Sequence, residues 1–223
     1  MNKTVELVTQ WAAFEEGHPE ADLADFCRYY LISKREMEGH RELFGGTMPP
    51  RADIALGKLI FRIAKLQTTY INLVLPSLSI SHFEEFALLN AIANLKTPRK
   101  TEAIYHTINE LSTGLNLLAH LKEQGFITEH DDPNDKRSRR LNLTPKGEEI
   151  LRACYELLSK VPEMLYMEMA SEDIELCIRL LKNVEIKFSG LWQQHKGKPF
   201  GEVYEVVTGK KASSKSDLRR NKN

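Results

Sequence analysis

Residues 112–147, STGLNLLAHLKEQGFITEHDDPNDKRSRRLNLTPKG, change period halfway along. In the first part Leu117, Leu118 and Leu121 fall at helical spacing and define one inward face, which leaves Thr113, Asn116 and His120 on the other. Ser112 stands where an N-cap is expected, and Gly125 where a helix closes on a left-handed residue. Beyond Gly125 the segments 126–130 and 139–143 read as two strands. Asp131-Asp132-Pro133-Asn134-Asp135 between them is dense in turn formers, which predicts a long-tipped hairpin. Thr144 and Pro145 then open a further helix, with Thr as cap and Pro at the first helical position.

Working outward, the apolar spacing predicts helices over 3–16, 20–38, 52–75, about 83–95, 100–108, 145–161 and 171–195. Gly17-His18-Pro19, Gly45-Gly46 and Pro49-Pro50 mark breaks. Ser81 and Glu84 have the spacing of a capping box, and Pro162 is expected to kink or end the helix that begins at Pro145. The expected fold is mainly α with a small β-wing. Two helices joined by a tight turn would present the second to a DNA major groove, and the hairpin behind it would lie over the flanking backbone.

The hairpin supplies the charge such a surface needs. Lys136, Arg137, Arg139 and Arg140 place four positive charges within five residues, and Asp135 is placed to pair with Arg137 and hold the turn. Taken alone, a charge run reads as a solvated loop; behind a helix-turn-helix pattern it reads as a phosphate contact. Asn can read adenine with two bonds and Thr can meet a thymine methyl, so Thr113 and Asn116 suit base readout.

The stretch Leu121-Lys122-Glu123-Gln124-Gly125-Phe126-Ile127, then Asp132-Pro133-Asn134-Asp135-Lys136-Arg137, then Leu141-Asn142-Leu143-Thr144-Pro145-Lys146-Gly147 resembles the MarR family of bacterial regulators. The Asp-x-Arg turn, the strand after it and Leu-Thr-x-x-Gly carry the resemblance, which covers roughly 52–195 and is specific over 112–150. It implies a winged helix-turn-helix, an intertwined homodimer held through its N- and C-terminal helices, and cytoplasmic location. The implied activity is repression at a pseudo-palindromic operator in double-stranded DNA, with release by a small-molecule effector. By position, 112–124 would be the recognition helix. Ser112, Thr113, Asn116 and His120 would face DNA, and Arg137 would be the wing tip held by Asp135. Family pockets lie between the dimer helices and the winged domain, so residues near 60–70 and 104–118 are the expected lining.

One departure from the family is visible. After Ser112 the recognition helix carries Lys122 as its only Lys or Arg, and Leu115 stands where a small polar residue is usual. Lys96, Arg99 and Lys100 are therefore expected to supply backbone affinity, with Leu115 packed against the neighbouring helix. The same departure motivates a second reading, a winged-helix module for protein–protein contact that has lost specific DNA binding.

The totals fit these readings. Lys plus Arg and Asp plus Glu are both 31, but the charge is uneven: 1–50 holds 5 basic and 9 acidic residues, and 197–223 holds 7 and 3. The expected organisation is an acidic helical extension over 1–50, a winged domain over 52–195, and a basic, disordered tail over 197–223. Within the winged domain, 52–75 and 145–195 form the dimer and 81–144 meets DNA. The extension would pack on the dimer helices or on the partner subunit through Trp11, Phe14, Phe26 and Tyr30. Cys27, Cys154 and Cys177 are odd in number and far apart, which argues against a disulfide framework; all three are expected to be buried and inert. No membrane span, secretory signal, catalytic motif, cofactor fingerprint or metal-ligand spacing is present, so no enzyme, cofactor or metal is expected.

Overall fold

Thr144 does two jobs at the centre of the chain. Its hydroxyl accepts from the Gly147 N–H at 3.0 Å and donates to the Gly125 carbonyl at 2.7 Å, so one side chain caps a new helix and ties it to the end of an earlier one. Pro145 opens that helix without wasting a donor. A Cβ on Gly147 would lie 2.0 Å from the Phe126 carbonyl oxygen, so only glycine fits. The Leu-Thr-Pro-Lys-Gly segment is thus a joint between hairpin and helix.

The computed structural model describes residues 2–36, 43–133 and 135–211; the side chains of 32–36 and of Lys136 are not among the described parts. The chain divides into two compact units, Met1–Phe61 and Arg62–Asn223. The division falls inside a helix that runs unbroken from Ala52 to Val74.

The first unit holds α1 (Lys3–Gly17) and α2 (Leu23–Glu36). Asn2 caps α1 through its side chain. Asp22 and Asp25 cap each other's backbone N–H groups at 2.9 and 3.1 Å, which starts α2 at Leu23 rather than at Glu20. Phe14 and Phe26 are buried, and Trp11 meets Phe26 edge-on at 5.0 Å. The expected aromatic stripes therefore pack on each other.

α3 (Ala52–Val74) leads into the second unit and ends in a 3₁₀ turn at Leu75–Ser77. There follow α4 (Phe83–Leu95), α5 (Lys100–His106) and α6 (Leu111–Glu123). Next come β1 (Ile127–Asp132), β2 (Asp135–Leu143), α7 (Pro145–Leu158), α8 (Lys160–Tyr166), α9 (Ser171–His195) and α10 (Phe200–Thr208). The core gathers Ile71, Leu75, Leu88, Leu89, Ile92, Ile104, Leu118, Leu121, Phe126, Leu141, Leu151 and Cys154. Each large apolar side chain among them contributes about 1.5–3 kcal/mol of burial. The strands pair antiparallel from Ile127 opposite Leu143 to Asp131 opposite Arg139, with an irregularity before Asp132 meets Asp135. This is the expected α fold with a β-wing.

Several local expectations are corrected. Glu84 does not close the capping box: the Ser81 N–H is taken by Glu85 at 2.8 Å, and His82 is the N-cap of α4. Ser112 lies inside α6, whose N-cap is Glu110. Pro162 does not end α7; the break comes at Ser159, because Pro162, lacking an N–H, is accommodated in the first turn of α8. The two strands reach further into the hairpin than expected, since Asp132 pairs instead of turning. Residues 200–208, expected in the tail, form α10, whose Phe200, Val203, Tyr204 and Val207 fall at helical spacing. Residues 212–223, the rest of that tail, lie outside the described residues. Cys27 and Cys177 are exposed; only Cys154 is buried, and burial pushes its thiol up to about 11.

α9 has no buried residue, and Leu180, Val184 and Ile186 on it are 56–66% exposed. Phe61, Leu66 and Leu73 on α3 are also exposed.

Candidate nucleic-acid interface

α5 and α6 approach closely because Gly114 lets them. A Cβ at Gly114 would lie 2.5 Å from the Ile104 side chain. The turn between the helices is tied by the Asn109 N–H on the Ile104 carbonyl, at 3.2 Å, and by the Asn109 amide on the Thr107 hydroxyl, at 2.8 Å. It places Ile108 at φ +57°, a costly conformation for a β-branched residue. Leu118 and Leu121 are buried, so the opposite face of α6 is fixed outward.

That face carries Ser112, Thr113, Leu115, Asn116 and Ala119, all exposed. Three residues expected on it are there. Leu115 is not packed away as expected; it stands 40% exposed among them. His120 behaves differently. Its Nδ1 is 2.5 Å from Glu85 Oε1, and its Nε2 is 3.1 Å from the Gln124 side-chain nitrogen, so both ring nitrogens face protein partners. Gly114 was absent from the sequence reading, as was the pairing of Glu85 with His120. A glycine inside a strongly periodic helix was a usable signal for the first; the second spans 35 positions and has no spacing signature.

The wing is braced at its base. Asp132 is 1% exposed and accepts from Arg99 Nε at 2.8 Å, while Arg140 Nε lies 3.1 Å from the same carboxylate oxygen. Arg140 also donates to the Thr97 carbonyl at 2.8 Å, and the Leu141 N–H donates to the Pro98 carbonyl at 2.9 Å. The hairpin is thereby tied to the connector between α4 and α5. Glu129 receives Lys100 at 2.8 Å and Lys122 at 3.3 Å. Burial pushes the Glu129 carboxyl up, but the two ammonium groups outweigh it and hold it below the usual range.

The basic residues of the hairpin thus divide by task. Arg140 is a brace and Arg139 pairs with Asp131 across the strands at 2.5 Å. Arg137 has an exposed side chain at the tip. The Lys136 side chain lies outside the described residues. Asp135 holds the turn, through partners other than the Arg137 guanidinium. It accepts from the Ser138 hydroxyl at 2.8 Å and from the Arg137 backbone N–H at 3.0 Å, and these two bonds lower its carboxyl. Of the three cations expected to add backbone affinity, Arg99 and Lys100 are engaged with carboxylates, and Lys96 is exposed.

Among the described residues no group of acidic, His and Cys side chains could hold a metal, and no helix is long and apolar enough to cross a membrane.

Comparison with known proteins gives the same picture. A family model described as "Winged helix DNA-binding domain" matches residues 84–147. The transcriptional regulator HosA of Escherichia coli is 28% identical over 100 residues, which is 45% of this chain and 74% of HosA. Wild-type MarR of E. coli in its apo form superposes with a TM-score of 0.52 at 25% identity, covering 58% of this chain and 96% of MarR. A single-site mutant of the same MarR, complexed with operator DNA, gives 0.55 at 24% identity, over 65% of this chain and 99% of that one. The Streptomyces coelicolor regulator PcaV, in complex with its natural ligand, gives 0.52 at 17%, over 62% and 97%.

Proposed function

We propose, on the premise that this chain is a winged-helix DNA-binding transcriptional regulator of the MarR family, that it is a cytoplasmic homodimer repressing genes at a pseudo-palindromic operator. The observation that carries the reading is the pairing of two surfaces on one frame: the polar face of α6, and a wing tip bearing exposed Arg137. Buried Asp132 braces that wing to the helix-turn-helix. In a dimer the two copies of α6 would sit about 34–36 Å apart, one turn of DNA. Ser112, Thr113 and Asn116 would meet base edges. Lys136 and Arg137 would neutralise backbone phosphates, and Arg139 would add to them where its pairing with Asp131 is exchanged for a phosphate. The ligand held by PcaV supports a small-molecule effector here too.

The division of labour is testable by gel shift on the protein's own upstream DNA. Arg137→Ala should weaken binding on every sequence, and Asn116→Ala should mainly relax sequence preference. The opposite pattern would mean the wing and α6 have each other's roles.

The neutral face of α6, where Lys122 is engaged by Glu129, favours a second reading as a protein–protein module. Absence of any shift at low salt, where phosphate attraction is strongest, would favour that alternative.

A further inference from the structure

We propose that Glu85 is a positioning residue for DNA binding: through His120 it fixes the recognition helix, and with it the face that carries Thr113 and Asn116. The proposal rests on the DNA-binding reading above and adds to it a residue far from the exposed face.

Glu85 is a carboxylate that is 1% exposed, in a helix where Leu88, Leu89 and Ile92 are equally buried. An apolar residue would fill the position without the desolvation cost of several kcal/mol that a buried carboxylate carries. Both oxygens of Glu85 are used. Oε2 accepts the Ser81 N–H at 2.8 Å and Oε1 is 2.5 Å from His120 Nδ1. The acid therefore joins the start of α4 to the end of α6. His120 in turn contacts Gln124, whose backbone carbonyl accepts from the Lys146 ammonium of α7 at 2.8 Å.

Apolar contacts are weakly directional. Leu118 and Leu121 hold α6 against the core and set its outward face, and the polar link adds a directional restraint near its C-terminal end. A short contact between a carboxylate and an imidazole is directional, and it is stronger when the imidazole is charged. His120 is 39% exposed, so protons reach it. A charged imidazole would hold the Glu85 carboxylate more tightly than a neutral one.

The charged groups around this pair are engaged elsewhere or open to solvent. Lys122 of α6 and Lys100 of α5 both go to Glu129 of β1. Lys146 of α7 donates to the Gln124 carbonyl. Glu84 of α4, His106 of α5 and Glu123 of α6 are not buried. His82, the N-cap of α4, lines the same cleft as Gln124 and is the second histidine to control.

The test uses the full chain and a labelled duplex that the wild-type protein itself enriches from a random-sequence pool. Affinity is read by fluorescence anisotropy from about pH 6 to about pH 8 at constant ionic strength, the range that spans histidine titration. Wild-type affinity should fall by about threefold to tenfold as pH rises. His120→Gln keeps an N–H donor but cannot titrate, and should give a flat profile near the wild-type value at the alkaline end. Glu85→Gln should also be flat and about tenfold weaker than wild type at the acidic end. His82→Gln should leave the wild-type slope in place.

A wild-type slope retained in Glu85→Gln would mean that His120 acts on DNA directly, and would overturn the proposal. So would a slope retained in His120→Gln, a result that holds even if Glu85→Gln fails to fold. Loss of the slope in His82→Gln would move the effect to the other histidine and overturn it as well. Failure of the wild-type chain to enrich any duplex is a distinct result, which would overturn the DNA-binding reading and this proposal with it.

Discussion

Ile108 is at odds with its backbone. It is β-branched, 55% exposed, and held at φ +57° in the turn between the two helices of the motif. The left-handed region costs an ordinary residue about 1–2 kcal/mol, of which a glycine recovers part while losing more entropy on folding. Ile108→Gly should therefore raise stability by up to about 1 kcal/mol, measured as a shift of the urea midpoint. A lower midpoint would mean that the Ile108 side chain gains more from packing than its backbone loses. The same scale shows what a sequence hides. The Thr144 cap and the Gly125 end were legible, because capping is local. Arg99 with Asp132 and Glu85 with His120 were not, because the partners lie 33 and 35 positions apart. Asp132 in particular looked like one more turn former among its neighbours, and only the fold shows that it is buried.

At the scale of elements, the wing is the most heavily tied piece of the interface. Its tip depends on Asp135 and its flank on Glu129, both with carboxyls held below their ordinary values of 3.8 and 4.5. Groups shifted in this direction stabilise the folded wing above those values, and the contribution is lost as pH falls through the lower folded values. An NMR titration following the Arg137 amide proton should report a midpoint below 3.8. A midpoint at or above that value would show that Asp135 does not cap the turn in solution. Helix spacing and turn chemistry made this element visible in the sequence. The division of its arginines between brace and tip was not visible, since Arg137 and Arg140 look alike until the connector at Thr97 and Pro98 is placed beside the second strand. The element expected as tail was misread for a different reason. Gly197 and Pro199 look like the end of structure, but they only separate α9 from α10.

For the whole molecule, the informative feature is apolar surface left open among the described residues. Leu180, Val184 and Ile186 on α9, and Leu66 and Leu73 on α3, are half or more exposed. Soluble monomers rarely leave such stretches open. Sedimentation equilibrium at micromolar concentration should return the mass of two chains, and Leu180→Glu with Val184→Glu should shift it toward one. A wild-type mass of one chain would contradict the dimer on which operator symmetry depends. The α1–α2 extension buries Phe14 and Phe26 within itself, so deleting 1–45 should leave the mass of two chains intact.

Two recognition surfaces paired in a dimer would bind DNA in a sequence-specific way. The most direct test is recovery of the genomic DNA fragments that the full chain retains at low salt, followed by sequencing. A dimer with one α6 in each half-site should give one enriched motif with inverted half-sites whose centres lie about 10–10.5 base pairs apart. Recovery of fragments without any shared motif, or of none above background, would contradict it.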